Sequence, residues 1–203
     1  MPRLSVAQFH DRQGAILDAA AGVFARKGFE NTSIAELARA ADISDGLIYR
    51  YFDGKRDLLF QVLARFYRSN LDYLEAAIAP EHGFAARLRA LVQSHLEIQL
   101  NNPGLCRLFI AEVRQAGDYP GSDIQELNRH YTEVFLRLLE EGRTAGELRA
   151  NFDQRLMRDI FFGGLEHVAW RAIHGIGGFD AKIAAAEIVG LITHGLAKGS
   201  ANV

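Results

Sequence analysis

Between its glycine and proline breakers, every long stretch of this chain places apolar residues three and four positions apart, and none alternates them with period two. Gly28, Pro80, Gly83, Pro103, Gly104, Gly117, Pro120, Gly121 and the run Gly175-Ile176-Gly177-Gly178 cut the sequence into pieces of helical length. Strands need β-branched residues on alternating faces, and such runs are missing. The pattern therefore predicts an all-α chain of about nine helices, with no repeat and no long polar linker.

The predicted helices run from about Phe9 to Lys27, from Ser33, from Ser44 to Arg50 and from Lys55 to Ile78. Beyond Pro80 they cover 84–101, 104–116, 122–145, 153–175 and 181–198. Ser33 and Glu36 have the spacing of a capping box, and Ser44 is a good N-cap. The last two segments carry apolar or small residues on nearly every face, including Gly163-Gly164 and Ala184-Ala185-Ala186. A helix apolar all round must be covered on more than one side, so a second copy of the chain is the expected cover, with a helix threaded through the centre of a single subunit as the alternative. Gly163, His167, Ile188, Leu191 and Ile192 are the residues expected at that interface.

Composition excludes several classes. No run approaches the length and hydropathy of a membrane span, and Met1-Pro2-Arg3-Leu4-Ser5-Val6 lacks the apolar core of a signal peptide. The single cysteine, Cys106, allows no intrachain disulfide and suits a reducing cytoplasm. None of the seven histidines belongs to a zinc or nucleophile motif, and the Gly175–Gly178 run follows a helix rather than a strand. An enzyme, a cofactor and a metal site are therefore not expected. His167 and His174, two helical turns apart, are poorly spaced for a shared metal. Net charge is −2, and residues 1–55 balance seven Lys/Arg against seven Asp/Glu. Any affinity for phosphate must come from where the cations stand, not from their number.

One stretch narrows the function: Thr32-Ser33-Ile34-Ala35-Glu36-Leu37-Ala38-Arg39-Ala40-Ala41-Asp42-Ile43-Ser44-Asp45-Gly46-Leu47-Ile48-Tyr49-Arg50-Tyr51-Phe52. It reads as two short helices joined by a tight turn, with Ala38 small enough for a close crossing and Ile43 and Ile48 sealing the junction. That geometry pushes the second helix outward, where its N-terminal residues can enter a major groove.

Together with Arg12-Gln13-Gly14-Ala15-Ile16-Leu17 upstream and Lys55-Arg56-Asp57-Leu58-Leu59 downstream, this stretch resembles the DNA-binding domain of TetR-type repressors. The resemblance implies a helix-turn-helix domain over residues 1–55 and an effector-binding and dimerisation domain over 56–203. It implies that Ser44, Asp45, Gly46 and Leu47 face bases, and that Tyr49, Tyr51, Thr32, Ser33 and Lys55 meet phosphates. Arg50 would reach phosphate or a guanine edge, and Arg3 and Arg12 the minor groove. Other readings stay open: Tyr51 as a core cap beside Phe52, Ser33 and Ser44 as helix caps only, Arg50 as a solvated residue. Two positions depart from the family. Asp42 replaces a turn glycine and is able to take the left-handed conformation that glycine adopts freely, and Asp45 stands where a cation is frequent.

Residues 56–203 hold 14 of the 20 aromatics. By the same resemblance this half encloses an apolar effector pocket, with Phe66, Tyr67, Phe109, Val113, Phe135, Phe162, Glu166 and Trp170 as the expected lining. Arg107, Arg114, His167 and His174 add polar groups in the same segments. The run Leu156–Trp170 is similar, more loosely, to the fatty-acid-degradation repressors of the family, whose effectors are long-chain acyl-CoA thioesters. An acyl-CoA or fatty acid and an aromatic or drug-like effector both stay open, and Glu166 would favour a cationic drug. The expected whole is a cytoplasmic homodimer that releases palindromic operator DNA when a small hydrophobic effector binds. A helical protein-interaction adaptor without DNA binding is the competing class.

Overall fold

The structure is a computed structural model and describes residues 6–196. Within them lie nine α-helices: α1 (Val6–Lys27), α2 (Ile34–Ala40), α3 (Asp45–Ile48), α4 (Lys55–Ile78), α5 (Phe84–Asn101), α6 (Pro103–Leu108), α7 (Asp123–Thr144), α8 (Gln154–Ile173) and α9 (Ala181–Leu196). The described residues form no strand. Arg3 and the last two positions of the helix expected over 181–198 fall outside them. The segment expected as one regular helix over 104–116 instead follows α6 with a π-helical turn, Phe109–Val113, closed by the Arg114 N–H donating to the Phe109 carbonyl at 2.9 Å. A widened turn of this kind leaves no mark on the spacing of apolar residues, and such turns are frequent at functional sites.

The chain divides into two compact units. Among the described residues, the first contains those up to Phe66 together with Gly104–Gln125, and the second contains Tyr67–Pro103 and those from Glu126 to Leu196. The first therefore extends past residue 55 and takes in a segment distant in sequence.

In the first unit α2 packs on α1 and α3, burying Ile16, Ala20, Phe24, Leu37, Ala38 and Ile48. Gly28 ends α1 with φ 79°, a conformation that costs other residues. The turn between α2 and α3 is closed by two backbone bonds, Ile43 N–H to the Ala38 carbonyl at 3.0 Å and Asp42 N–H to the Arg39 carbonyl at 3.2 Å. These are the two bonds of a Schellman cap, and Asp42 takes its left-handed position with φ 53°, as its place in the turn requires.

Two contacts fix Gly104–Gln125 within this unit. A Cβ on Gly104 would stand 2.5 Å from the Ala25 carbonyl oxygen, so α6 starts against the α1 backbone at a distance only glycine permits. The Arg56 guanidinium donates to both Asp118 carboxylate oxygens at 2.9 and 2.6 Å and to the Glu112 carbonyl at 3.0 Å. This bidentate grip holds Asp118 below its ordinary carboxyl pKa, the Arg56 hydrogen bond being the main cause.

In the second unit α5 packs against both α8 and α9, with Leu88, Leu91, Val92 and Leu96 buried. The Glu147 carboxylate accepts from the Phe84 N–H at 3.0 Å and so caps the start of α5. Asp153 does the same for α8, accepting from Arg155 and Leu156 N–H groups at 2.9 and 3.1 Å. The apolar surplus of the last two helices remains outside: Leu156, Ile160, Val168 and Trp170 on α8, with Ile183 and Leu191 on α9, are exposed, Leu191 by 76%. No described helix is long and apolar enough to cross a membrane.

Candidate nucleic-acid interface and effector cluster

The exposed rim of the first unit is built by α2, the turn at Asp42 and α3. Ser33 caps α2 reciprocally: its hydroxyl accepts from the Glu36 N–H at 3.2 Å, and Glu36 accepts from the Ser33 N–H at 3.1 Å. Glu36 also pairs with Lys27, and that hydrogen bond more than any other influence brings its carboxyl down to about 2. Ser33 and Lys27 are therefore engaged within the protein, although Ser33 stays on the surface.

Ser44 differs. Its backbone has N-cap geometry, with φ −79° and ψ 153°, yet its hydroxyl makes no capping bond. Ser44, Asp45, Gly46, Tyr49 and Arg50 are all exposed, Tyr49 by 60%, while Leu47 is half-buried and Ile48 fully buried. A Cβ on Gly46 would meet nothing within 4 Å, and Gly46 is not among the glycines with positive φ. Neither space nor backbone conformation requires glycine there. The short helix thus presents a shallow tip whose polar groups are not spent on holding the fold.

Three residues expected at phosphates are placed otherwise. Thr32 is 2% exposed, and its hydroxyl donates to the Gly28 carbonyl at 2.7 Å. It is drawn inward because the carbonyls ending α1 need donors. Tyr51 is 8% exposed and stacks on Phe9 with ring centroids 4.5 Å apart, because Tyr51 and Phe52 N–H groups both donate to the Ile48 carbonyl and turn the chain inward. Burial and stacking make Tyr51 a core cap, and its hydroxyl has no hydrogen-bond partner among the described residues. Lys55 donates to the Phe29 carbonyl at 3.0 Å with its ammonium 4.3 Å from the Phe29 ring centroid, closing the gap between α1 and α4.

The second unit gathers aromatic and polar side chains from four helices. Phe135 of α7 stacks on Phe161 of α8 with centroids 3.9 Å apart, and Phe162 meets both edge-on. Tyr131 of α7 touches Tyr67 of α4, His95 of α5 and Phe162. The Tyr131 hydroxyl lies 2.8 Å from His95 Nδ1, and the Tyr67 hydroxyl donates to Asn128 at 3.2 Å. Burial pushes the His95 imidazole down to about 4, against an opposing pull from the Glu166 carboxylate. Of the residues expected to line a pocket, Tyr67, Phe135, Phe162 and Glu166 join this cluster. Phe66, Phe109 and Val113 belong to the first unit, where Phe109 and Val113 are buried and Phe109 lies edge-on to Tyr119.

Trp170 does not join it. It is 47% exposed, stacks on His174 at 4.5 Å, and shares one line of α8 with Ile160, Gly163 and His167, at spacings of three and four residues. It therefore belongs with the residues expected at the subunit interface, because three helical steps from His167 carry it around to the same side. Gly163, His167 and Leu191 are exposed, whereas Ile188 and Ile192 are half-buried.

His95, Tyr131 and Asn128 are missing from the sequence-based pocket. The available signal was a histidine and a glutamine, His95 and Gln99, set among buried aliphatic residues of α5. A separate open groove of about 460 Å³ in this unit is walled by Tyr73, Glu81, Arg89, Gln93 and Glu97. There the Tyr73 hydroxyl donates to Glu97 at 2.8 Å. Its charged walls suit water better than an apolar molecule.

A neutral, half-buried histidine has a consequence for stability. The unfolded chain takes up a proton near the ordinary value of 6.5, and the folded one only near 4. Stability from His95 is fully present above pH 6.5 and declines as pH falls toward 4. Melting temperature measured from pH 7.5 to 4.5 is expected to fall more steeply in the wild type than in His95→Asn; equal slopes would show that His95 titrates normally.

Comparison with known proteins gives this architecture its class. Residues 16–62 match the family described as bacterial regulatory proteins, tetR family, and residues 81–170 match the tetracyclin repressor-like C-terminal domain. The chain belongs to the tetR family of bacterial regulatory proteins. It is 24% identical over 181 residues to the fatty acid metabolism regulator protein of Bacillus subtilis strain 168, covering 89% of this chain and 93% of that one. It is 26% identical over 190 residues to the HTH-type transcriptional repressor KstR2 of Rhodococcus jostii, covering 92% and 91%. The crystal structure of the FadR regulator from Bacillus subtilis in complex with stearoyl-CoA has the same fold, with a TM-score of 0.80 and 23% identity over 90% of this chain and 98% of that one.

Proposed function

We propose that the chain is a dimeric transcriptional repressor of the bacterial cytoplasm that reads palindromic operator DNA with residues 44–50 and lets go when a small hydrophobic effector binds. One observation carries the DNA reading: Gly46 stands in open space at the tip of α3, beside an uncommitted Ser44 hydroxyl and an exposed Tyr49. A fold that needed only stability would use alanine there, the better helix former. Backbone approach to base edges needs the bare glycine. Residues 1–55 would carry the reading, and 56–203 the effector and the partner copy.

The exposed apolar residues of α8 and α9 support a second copy as their cover, with Gly163, His167, Trp170 and Leu191 in the contact. The aromatic cluster around Phe135 and Phe162 supports an apolar effector. The acyl-CoA class is favoured by the regulator of fatty acid metabolism it resembles and by the stearoyl-CoA held by its structural relative. The chain crosses between its units at Phe66–Tyr67 within α4, at Pro103–Gly104 and at Gln125–Glu126. These crossings are the routes by which a change around the effector would reach the reading helices. The effector must prefer the form that cannot hold both half-sites, since equal affinity for both forms shifts nothing.

The test is a duplex titration at two salt concentrations. Six to ten phosphate contacts predict a loss of roughly 10³–10⁵ in affinity between 50 and 200 mM salt. Tyr49→Ala should weaken binding at both salt concentrations and leave the slope unchanged, because a neutral phenol releases no counterion, and it should leave the melting curve unchanged. Binding that ignores both salt and Tyr49→Ala would favour the adaptor.

A further inference from the structure

His95 and Gln99 stand one turn apart on the same face of α5, in a helix whose neighbouring core positions are Leu88, Leu91, Val92 and Leu96. His95 of this pair touches Tyr131 and Phe162 in the aromatic cluster. Gln99 is 7% exposed, and its side-chain carbonyl oxygen Oε1 has no hydrogen-bond partner among the described residues. A buried acceptor left unserved costs its full desolvation, and an aliphatic residue at this position would avoid that cost.

Resting on the effector reading above, we infer that the effector is an apolar molecule carrying a hydroxyl group, whose O–H donates to Gln99 Oε1 beside the His95–Tyr131 pair. The surroundings select an uncharged donor. Glu166 already places a negative charge near His95, which opposes a second carboxylate. The burial that keeps His95 neutral in spite of Glu166 disfavours an ammonium in the same place. A saturated chain would leave Gln99 unserved. A neutral hydroxyl meets all three conditions, and it suits this place because the Tyr131 hydroxyl and His95 imidazole, 2.8 Å apart, can adjust their shared proton to accept or donate at its oxygen.

Fluorescence titration of the full chain with 2-naphthol and naphthalene, which differ only in the hydroxyl, tests this. The wild type should bind 2-naphthol roughly tenfold more tightly, the size of one well-made buried hydrogen bond. Gln99→Met should abolish that preference while keeping the naphthalene affinity. The same variant without ligand should melt about 2–4 °C higher, because it no longer buries an unserved acceptor. Equal affinities in the wild type, as a resident water on Gln99 would give, overturn the inference. So does a preference that survives Gln99→Met, or failure of both compounds to bind. Release of operator DNA by stearoyl-CoA, followed in parallel, reports on the effector reading itself. Release without any hydroxyl preference would sink only the inference made here.

Discussion

Replacing Gly46 by alanine is expected to make the protein slightly more stable and much worse at holding operator DNA. The added methyl meets no atom within 4 Å, and alanine in a helix is preferred over glycine by about 1 kcal/mol or less. In the DNA complex the same methyl would stand between the α3 backbone and the base edges. Loss of a good base contact costs about 1–3 kcal/mol, and a symmetric dimer loses it twice. The expected fall in operator affinity is therefore at least about thirtyfold. Electrophoretic titration paired with a thermal melt separates the two effects. Unchanged operator affinity would remove Gly46 from the interface, and a lowered melting point would mean that the fold, not the DNA, requires the glycine.

Gly104→Ala should do the reverse. Its Cβ would lie 2.5 Å from the Ala25 oxygen and 2.8 Å from the Ala25 Cβ. These are backbone and near-backbone atoms that cannot swing aside as a side-chain tip can. α6 must withdraw from α1, and overpacking of this kind costs about 1–3 kcal/mol. A melting temperature lower by several degrees is expected, at roughly 2–4 °C for each kcal/mol. Gly46→Ala serves as the comparison, the same chemical change made in open space. A Gly104→Ala protein that melts like the wild type would show that the contact between α6 and α1 yields without cost.

Much of this was legible in the sequence for identifiable reasons. Glycine and proline punctuate the chain, so the limits of α4 and α5 follow from Lys55, Pro80, Gly83 and Pro103. The left-handed turn at Asp42 was legible because this residue stands where the family has a glycine, and aspartate tolerates that conformation. Side-chain direction after a short helix was harder to read. Tyr49 and Tyr51 look equivalent in sequence, yet two backbone bonds to Ile48 send one outward and the other against Phe9. Long-range pairs were harder still. His95 and Tyr131 are separated by 36 residues, Arg56 and Asp118 by 62, and neither residue in a pair carries a local sign of its partner.

The clasp of Arg56 on Asp118 and the seat of Gly104 on Ala25 bear on how such regulators can be recombined. A reading head grafted from a relative by a single splice at residue 55 or 66 would arrive without Gly104–Gln125, a portion of its own interior. Such chimeras should misfold unless both pieces travel together. On the reading proposed above, a changed operator preference would then be more accessible by point changes on the exposed rim than by exchange of whole modules.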